Sequence, residues 1–142
     1  MKYIFFIFIV LFSDLSFGQI FQRKLNRLDE RGMRTGLWID YFDIDSATVS
    51  AKIHYKNGNQ TGICRFYHPN GQRRLKWHYY NNRIRAKYYF ENGQLEQKGW
   101  SKIDFSGQYA HYYWHGKWKF FDDHRKLLRV GFYQNGEEIS DQ

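Results

Sequence analysis

At 142 residues the chain has room for one domain, which excludes a large multidomain enzyme. Aromatic residues make up 21%, proline occurs once and charged residues make up 25%, so collagen-like and low-complexity disordered classes are excluded as well. Against 14 Asp and Glu stand 22 Lys and Arg, a formal net charge of +8 that suits an anionic partner or simply a basic surface.

The chain opens with Met1-Lys2, then an unbroken apolar run from Tyr3 to Phe12, then Ser16-Phe17-Gly18. A positive start, a short apolar stretch and small residues before a cut predict a signal peptide over 1–18, helical in its apolar run and cleaved after Gly18. The run falls short of the ~20 apolar residues that a helix needs to span a bilayer, which argues against a permanent anchor. The expected destination is the periplasm, the outer membrane or the medium. Lys2 and Asp14 leave together, so the mature chain keeps its +8. Of the aromatic residues 24 remain, against 17 Leu, Ile and Val, so the core has to be built from rings. Cys64 is the only cysteine. It cannot form an intramolecular disulfide, and its place in a strand repeat reads as a small buried hydrophobe.

Residues 19–35 are charged and aperiodic and are expected to cap the first strand, with Asp29-Glu30-Arg31-Gly32 as the turn that opens the array. The region 36–142 is punctuated by Asn57-Gly58, Asn70-Gly71, Asn92-Gly93 and Asn135-Gly136. Each is predicted to be a two-residue type I′ hairpin turn, because Asn and Gly tolerate the positive φ that both central residues need. Gly36, Gly62 and Gly116 come into register as a repeat: Trp38, Cys64 and Trp118 stand two residues beyond them, and Tyr41, Tyr67 and Phe121 five beyond. Gly58 to Gly62 and Asn82 to Ala86 are both four apart, which places Ala86 in the third copy's glycine position. The steps of 26, 24 and 30 residues between Gly36, Gly62, Ala86 and Gly116 define the period. Runs of 5–7 aromatic and β-branched residues between turns are too short for helices. The sequence therefore predicts an all-β fold, an open, twisted antiparallel meander of about eight to ten strands with aromatic ladders as its spine. Alternation puts Cys64 and Phe66 on one face with Trp118 and Phe120, and Arg65 and Tyr67 on the other with Lys119 and Phe121.

This unit, G-x-W-x-x-Y followed by an N-G turn, an aromatic strand and N-G-x-x-x-G, resembles the bacterial variant of the MORN (membrane occupation and recognition nexus) repeat, over about Asn26 to Glu137. Asn26, Asp29, Gly32, Gly36 and Trp38 are similar to its usual opening in exported bacterial proteins. Cys64 stands where the family has Trp, Ala86 where it has Gly, and His124-Arg125 where it has Asn-Gly. The resemblance implies a repeat sheet whose structural positions are Gly36, Trp38, Tyr41, Gly58, Gly62, Tyr67, Gly71, Gly93, Gly116, Trp118, Phe121 and Gly136. Members are often described as YwqK-like antitoxins, which implies protein binding.

Catalytic apparatus is not visible, and no cofactor or metal is expected. His111 and His115 have the spacing of a helical metal pair, but on a strand four residues separate them by roughly 13 Å. The neighbouring carboxylates Asp122-Asp123 and Glu137-Glu138 fall at turns. Cys64 and His68 lack an orienting third group. The sharpest feature is a basic cluster of Arg73, Arg74, Lys76, Arg83, Arg85 and Lys87 interleaved with Trp77, Tyr79, Tyr80, Tyr88 and Tyr89 on two neighbouring strands and their turn. Arginines would bind phosphates and the aromatics would stack on rings or sugars of a ligand. The same cations would equally lay their stems over aromatic neighbours and leave their charges in water. The expected function is a non-enzymatic, exported repeat protein that meets a protein or an anionic envelope component: lipopolysaccharide, teichoic-type polymer or anionic lipid. Peripheral membrane contact is compatible with this and nucleic acid is not expected. The alternatives are an antitoxin-like neutraliser of a cognate toxin and, at lower weight, direct binding of anionic lipid.

Overall fold

The computed structural model describes residues 24–43, 47–106 and 110–139. The predicted leader and the first residues of the capping segment lie outside the described residues.

Among the described residues ten strands form one sheet in chain order, every pair antiparallel: β1 Arg27–Leu28, β2 Arg34–Tyr41, β3 Val49–Lys56, β4 Asn59–Tyr67, β5 Arg73–Tyr80, β6 Arg83–Tyr89, β7 Leu95–Asp104, β8 His111–Phe121, β9 Leu127–Gln134 and β10 Glu137–Ile139. Short turns return the chain beside the strand it has just left, so a meander follows from the turn chemistry. The all-β repeat sheet read from the sequence is the observed architecture.

The turns fall into two kinds, which corrects the expectation that every Asn-Gly is type I′. At Asn57-Gly58 and Asn135-Gly136 both residues have positive φ (51° and 78°, 53° and 91°), as type I′ requires. At Asn70-Gly71 and Asn92-Gly93 only the glycine does, with φ of 80° in each case. There the His68 amide donates to the Gln72 carbonyl at 2.8 Å and the Gly71 amide to the His68 carbonyl at 2.9 Å, closing a longer turn that Phe90–Gln94 repeats. Pro69 is the physical reason at the first of these, since its ring fixes φ near −65° one residue earlier. Asn70 then uses its side chain instead, accepting the Gln72 amide at 2.9 Å and donating to the Glu91 carbonyl of the next turn at 2.8 Å. Asn92 does the same, bonding the Gln94 amide and the Asp123 carbonyl. Turns along this end of the sheet are thus tied to one another as well as to their own hairpins.

Gly36, Gly62 and Gly116 have φ of 75°, 61° and 72° in mid-strand. The ladder slips beside two of them: Lys52 faces Arg65 but His54 faces Thr61, and Lys98 faces Lys119 but Trp100 faces His115. Each slip leaves two extra residues on the glycine strand, a bulge that bends it. Ala86 corrects the repeat register. Its strand pairs with β5 without a slip, and Ala86 stands opposite Trp77, which stands opposite Cys64. Ala86 therefore occupies the buried position of Cys64, two beyond the bulge glycine, and β6 has no bulge. Alanine pays too much for positive φ to serve as one.

Apolar side chains gather on one face. Ala51, Ile53 and Cys64 are buried with Phe66, Trp77 and Tyr79 around them, and Ala86, Trp118 and Tyr133 form a second cluster with Tyr88, Trp114 and Phe120. Trp77 of β5 stacks on Tyr112 of β8 with ring centroids 5.5 Å apart, although three strand spacings of ~4.8 Å separate their backbones. The sheet curls toward this face. Ala86 and Gly99, facing each other on β6 and β7, leave the trough that Trp77 fills from one side and Trp118 from the other. Trp118 has no exposure, stacks on Trp114 at 4.1 Å and donates its indole N–H to the Trp100 carbonyl at 2.9 Å. Close aromatic pairs of this sort add about 0.5–1.5 kcal/mol each beyond burial.

At the leading edge, Asn26 takes the place of a missing strand residue. Its amide nitrogen donates to the Leu37 carbonyl, while its side chain accepts the Ile39 amide at 2.7 Å and donates to the Ile39 carbonyl at 3.1 Å. Asp29 closes the predicted opening turn by accepting the Arg31 and Met33 amides at 3.0 and 2.9 Å.

Candidate functional site

The face opposite the aromatic core is cationic, and its charges are in line. Lys52 on β3 faces Arg65 on β4, Arg65 faces Lys76 on β5, Lys76 faces Lys87 on β6, Lys87 faces Lys98 on β7, and Lys98 faces Lys119 on β8. At ~4.8 Å per strand the row runs roughly 24 Å across the sheet. All six residues are half-buried. Like charges directly opposite on neighbouring strands repel.

Little on the protein offsets that repulsion. Among the described residues the ion pairs are Arg129 with Glu138 and His124 with Asp123, neither of which involves the row. Asp104, which shares the face through β7, is engaged by the Ser106 amide at 2.8 Å, and that bond holds its carboxyl below the usual range. Burial, then the charges of Arg65, Lys87, Arg73 and Arg85, push the Lys76 ammonium below its ordinary range. Aromatic side chains steady the row from its margin: the Lys52 ammonium lies 5.9 Å from the Tyr67 ring and the Lys98 ammonium 5.5 Å from the Phe121 ring. Arg73 covers Tyr89 at 5.3 Å and Arg83 covers Trp100 at 5.1 Å in the same manner. Two shallow depressions lie along it, one of about 70 Å³ lined by Lys76, His78, Arg85 and Lys87, the other of about 200 Å³ lined by Arg85, Lys98, Gly99, Trp100, Lys117 and Lys119.

The structure divides the sequence-predicted cluster between the two faces. Lys76, Arg83, Arg85 and Lys87 share the cationic face, with Arg73 and Arg74 exposed at the start of β5. Trp77, Tyr79 and Tyr88 point to the opposite face and pack in the aromatic core. They are removed from the cations by the alternation of the strand. The burial of Tyr79 also pushes its hydroxyl's pKa strongly upward, and that hydroxyl donates to Gln60 Oε1 at 2.5 Å. The rings that do flank the cations are Tyr67, Tyr89, Trp100 and Phe121. Sequence reasoning passed over Lys52, Arg65, Lys98 and Lys119 as members of the site. The signal was present: Arg65, Lys76, Lys87 and Lys98 are 11 residues apart at every step. The two residues added by the Gly62 bulge stretch the step from Lys52 to 13, and the two added by the Gly116 bulge, with the longer connection from β7 to β8, stretch the step to Lys119 to 21.

Other candidates take structural roles. Cys64 has no exposure, and burial raises its thiol's pKa, which suppresses the thiolate needed for nucleophilic attack. His68 bonds the Tyr89 carbonyl through Nε2 at 2.9 Å. Ligand atoms of Asp122, Asp123 and His124 lie within 4.8 Å of one another. The Asp122 carboxylate accepts the His124 and Lys126 amides at 3.0 and 2.8 Å, and Asp123 holds the His124 ring, so the group closes a turn.

Comparison with protein families identifies the repeat at the centre of this row. Residues 60–82 and 84–99 match the MORN repeat variant. No curated protein and no solved structure matches the chain. The matched MORN segments hold Arg65, Lys76, Lys87 and Lys98, the four evenly spaced rungs, and the hairpins that align them.

Proposed function

We propose that the protein is an exported, non-catalytic scaffold that holds an anionic partner against the cationic face of its MORN-type sheet. The observation that carries this reading is the row from Lys52 to Lys119: six cations opposite one another, with no carboxylate among the described residues in an ion pair with them. A row of that kind costs stability in the free protein and gains it when an anion is bound. Export rests on the leader pattern of Lys2, Tyr3–Phe12 and Ser16-Phe17-Gly18.

The test is sedimentation of the mature chain with envelope fractions of its own cell. Retention is expected to fall between 50 and 500 mM NaCl, on the order of the range over which screening lengths drop below the rung spacing. It is also expected to fall in the Lys76→Gln/Lys87→Gln variant at low salt. Equal retention of wild type and variant at low salt would remove the cationic face from the function. The exported form is expected to begin at Gln19.

A further inference from the structure

Resting on that scaffold reading, we infer that the partner is a linear anionic polysaccharide with one charge per sugar, laid along the row from Lys52 to Lys119. Four observations select it. The first is pitch. The strands that carry successive cations are ~4.8 Å apart, which is close to the advance of a glycan chain per sugar ring. Acidic side chains on one edge of an extended peptide recur every ~6.6 Å instead, so they slip by a whole rung within three.

The second is curvature. Strands of a sheet rotate by roughly 20–25° from one to the next, which turns the sixth rung by about 100–125° from the first. The stacking of Trp77 on Tyr112 across three strand spacings shows that the sheet also curls away from the cations. A flat bilayer or a straight acidic helix meets only part of such a row, whereas a flexible polymer winds with it.

The third is the kind of cation. Five of the six are lysines, point charges suited to single anions in series, and the planar forks are confined to Arg65 within the row and Arg83 and Arg85 beside it. The fourth is the state of the neighbouring rings. Tyr67, Tyr89, Trp100 and Phe121 are each covered by a cation of the chain. They hold the row in place, and none of the four is a bare platform for the base stacking on which single-stranded nucleic acid binding depends.

The experiment is titration of the mature protein with polygalacturonate, followed by tryptophan fluorescence and calorimetry. Parallel arms use its neutral methyl ester, poly-glutamate at equal charge and phosphatidylglycerol vesicles. Polygalacturonate is expected to bind most tightly and the methyl ester not at all, with the affinity of oligomers climbing to about six sugars and then levelling. Lys76→Gln/Lys87→Gln is expected to weaken binding at least tenfold. Lys24→Gln/Lys126→Gln, which removes the same charge away from the row, is expected to change it less than twofold. Circular dichroism of both variants checks that the sheet is intact. If poly-glutamate or vesicles bind more tightly than polygalacturonate through the same lysines, the polysaccharide is wrong and the scaffold reading stands. If no anion binds, both fall. Equal weakening by the two variants would also overturn the row.

Discussion

Trp118 lies so close over Gly99 that a Cβ on Gly99 would stand 2.3 Å from the indole Cδ2, well inside contact distance. The indole is fully buried, bonded to the Trp100 carbonyl and stacked on Trp114, so it has nowhere to retreat. Gly99→Ala is therefore expected to destabilise the sheet by about 1–3 kcal/mol, the usual range for forcing a methyl group into a packed core. Urea unfolding followed by tryptophan fluorescence measures it. In Trp118→Leu the steric conflict is relieved, so the double variant should lose markedly less than the sum of the two singles. Additive losses would mean that the two residues do not press on each other.

That contact also shows what the sequence could and could not disclose. The punctuation at Asn57-Gly58 and Asn135-Gly136, and the recurrence of Gly36, Gly62 and Gly116, made the meander legible because turn chemistry and bulges are local. Gly99 carries no local signal: its φ is ordinary, and its importance comes from a ring 19 residues further along, on the next strand. The third copy was read one position type off because Asn82 to Ala86 has the right spacing, although β6 has no bulge. For the candidate site, clustering along the chain picked out Arg73 to Lys87 and included rings of the opposite face. The cross-strand row itself is a matter of register, and bulges shift register by two residues where spacing alone predicts none.

Gly116 and Ala86 test that difference in opposite directions. A Cβ on Gly116 would meet nothing within 4 Å, yet its φ is 72°. Gly116→Ala is thus expected to cost about 1–2 kcal/mol from backbone strain alone. Ala86→Gly sits in a regular strand and is expected to cost about 0.5–1 kcal/mol from added freedom in the unfolded chain, plus the loss of a buried methyl group. If Ala86→Gly were stabilising, Ala86 would after all be a strained bulge position.

Arg125 has a φ of 70° at the place where two sister turns have Gly71 and Gly93. Arg125→Gly is expected to stabilise the protein by up to about 1 kcal/mol by removing that strain. The gain is reduced by losing the bond from Arg125 Nε to Gln94 Oε1 in the preceding turn. Thermal unfolding gives the sign, and Arg125→Ala serves as the control: it loses the bond while keeping the strain, so it should be the less stable of the two. A more stable Ala variant would place the energetics elsewhere than the backbone.

Lys76 makes the repulsion within the row measurable. Its ammonium pKa lies below the ordinary 10.5, first because it is partly desolvated and next because Arg65, Lys87, Arg73 and Arg85 surround it. A lysine whose pKa is lower in the folded state than in the unfolded chain leaves the unfolded chain holding more protons between the two values. Stability then rises with pH through that window, and the full cost of the charge is present below it. Lys76→Gln has no such group, so it is expected to be more stable than wild type at pH 7 and to show a flatter rise toward pH 10.5. Raising ionic strength from about 0.01 to 0.1 M, which shortens the screening length from ~30 to ~10 Å, should stabilise wild type more than the variant. A variant less stable at every pH and salt concentration would show that the packing of the Lys76 stem outweighs its charge, and the row would then be a structural feature without stored repulsion.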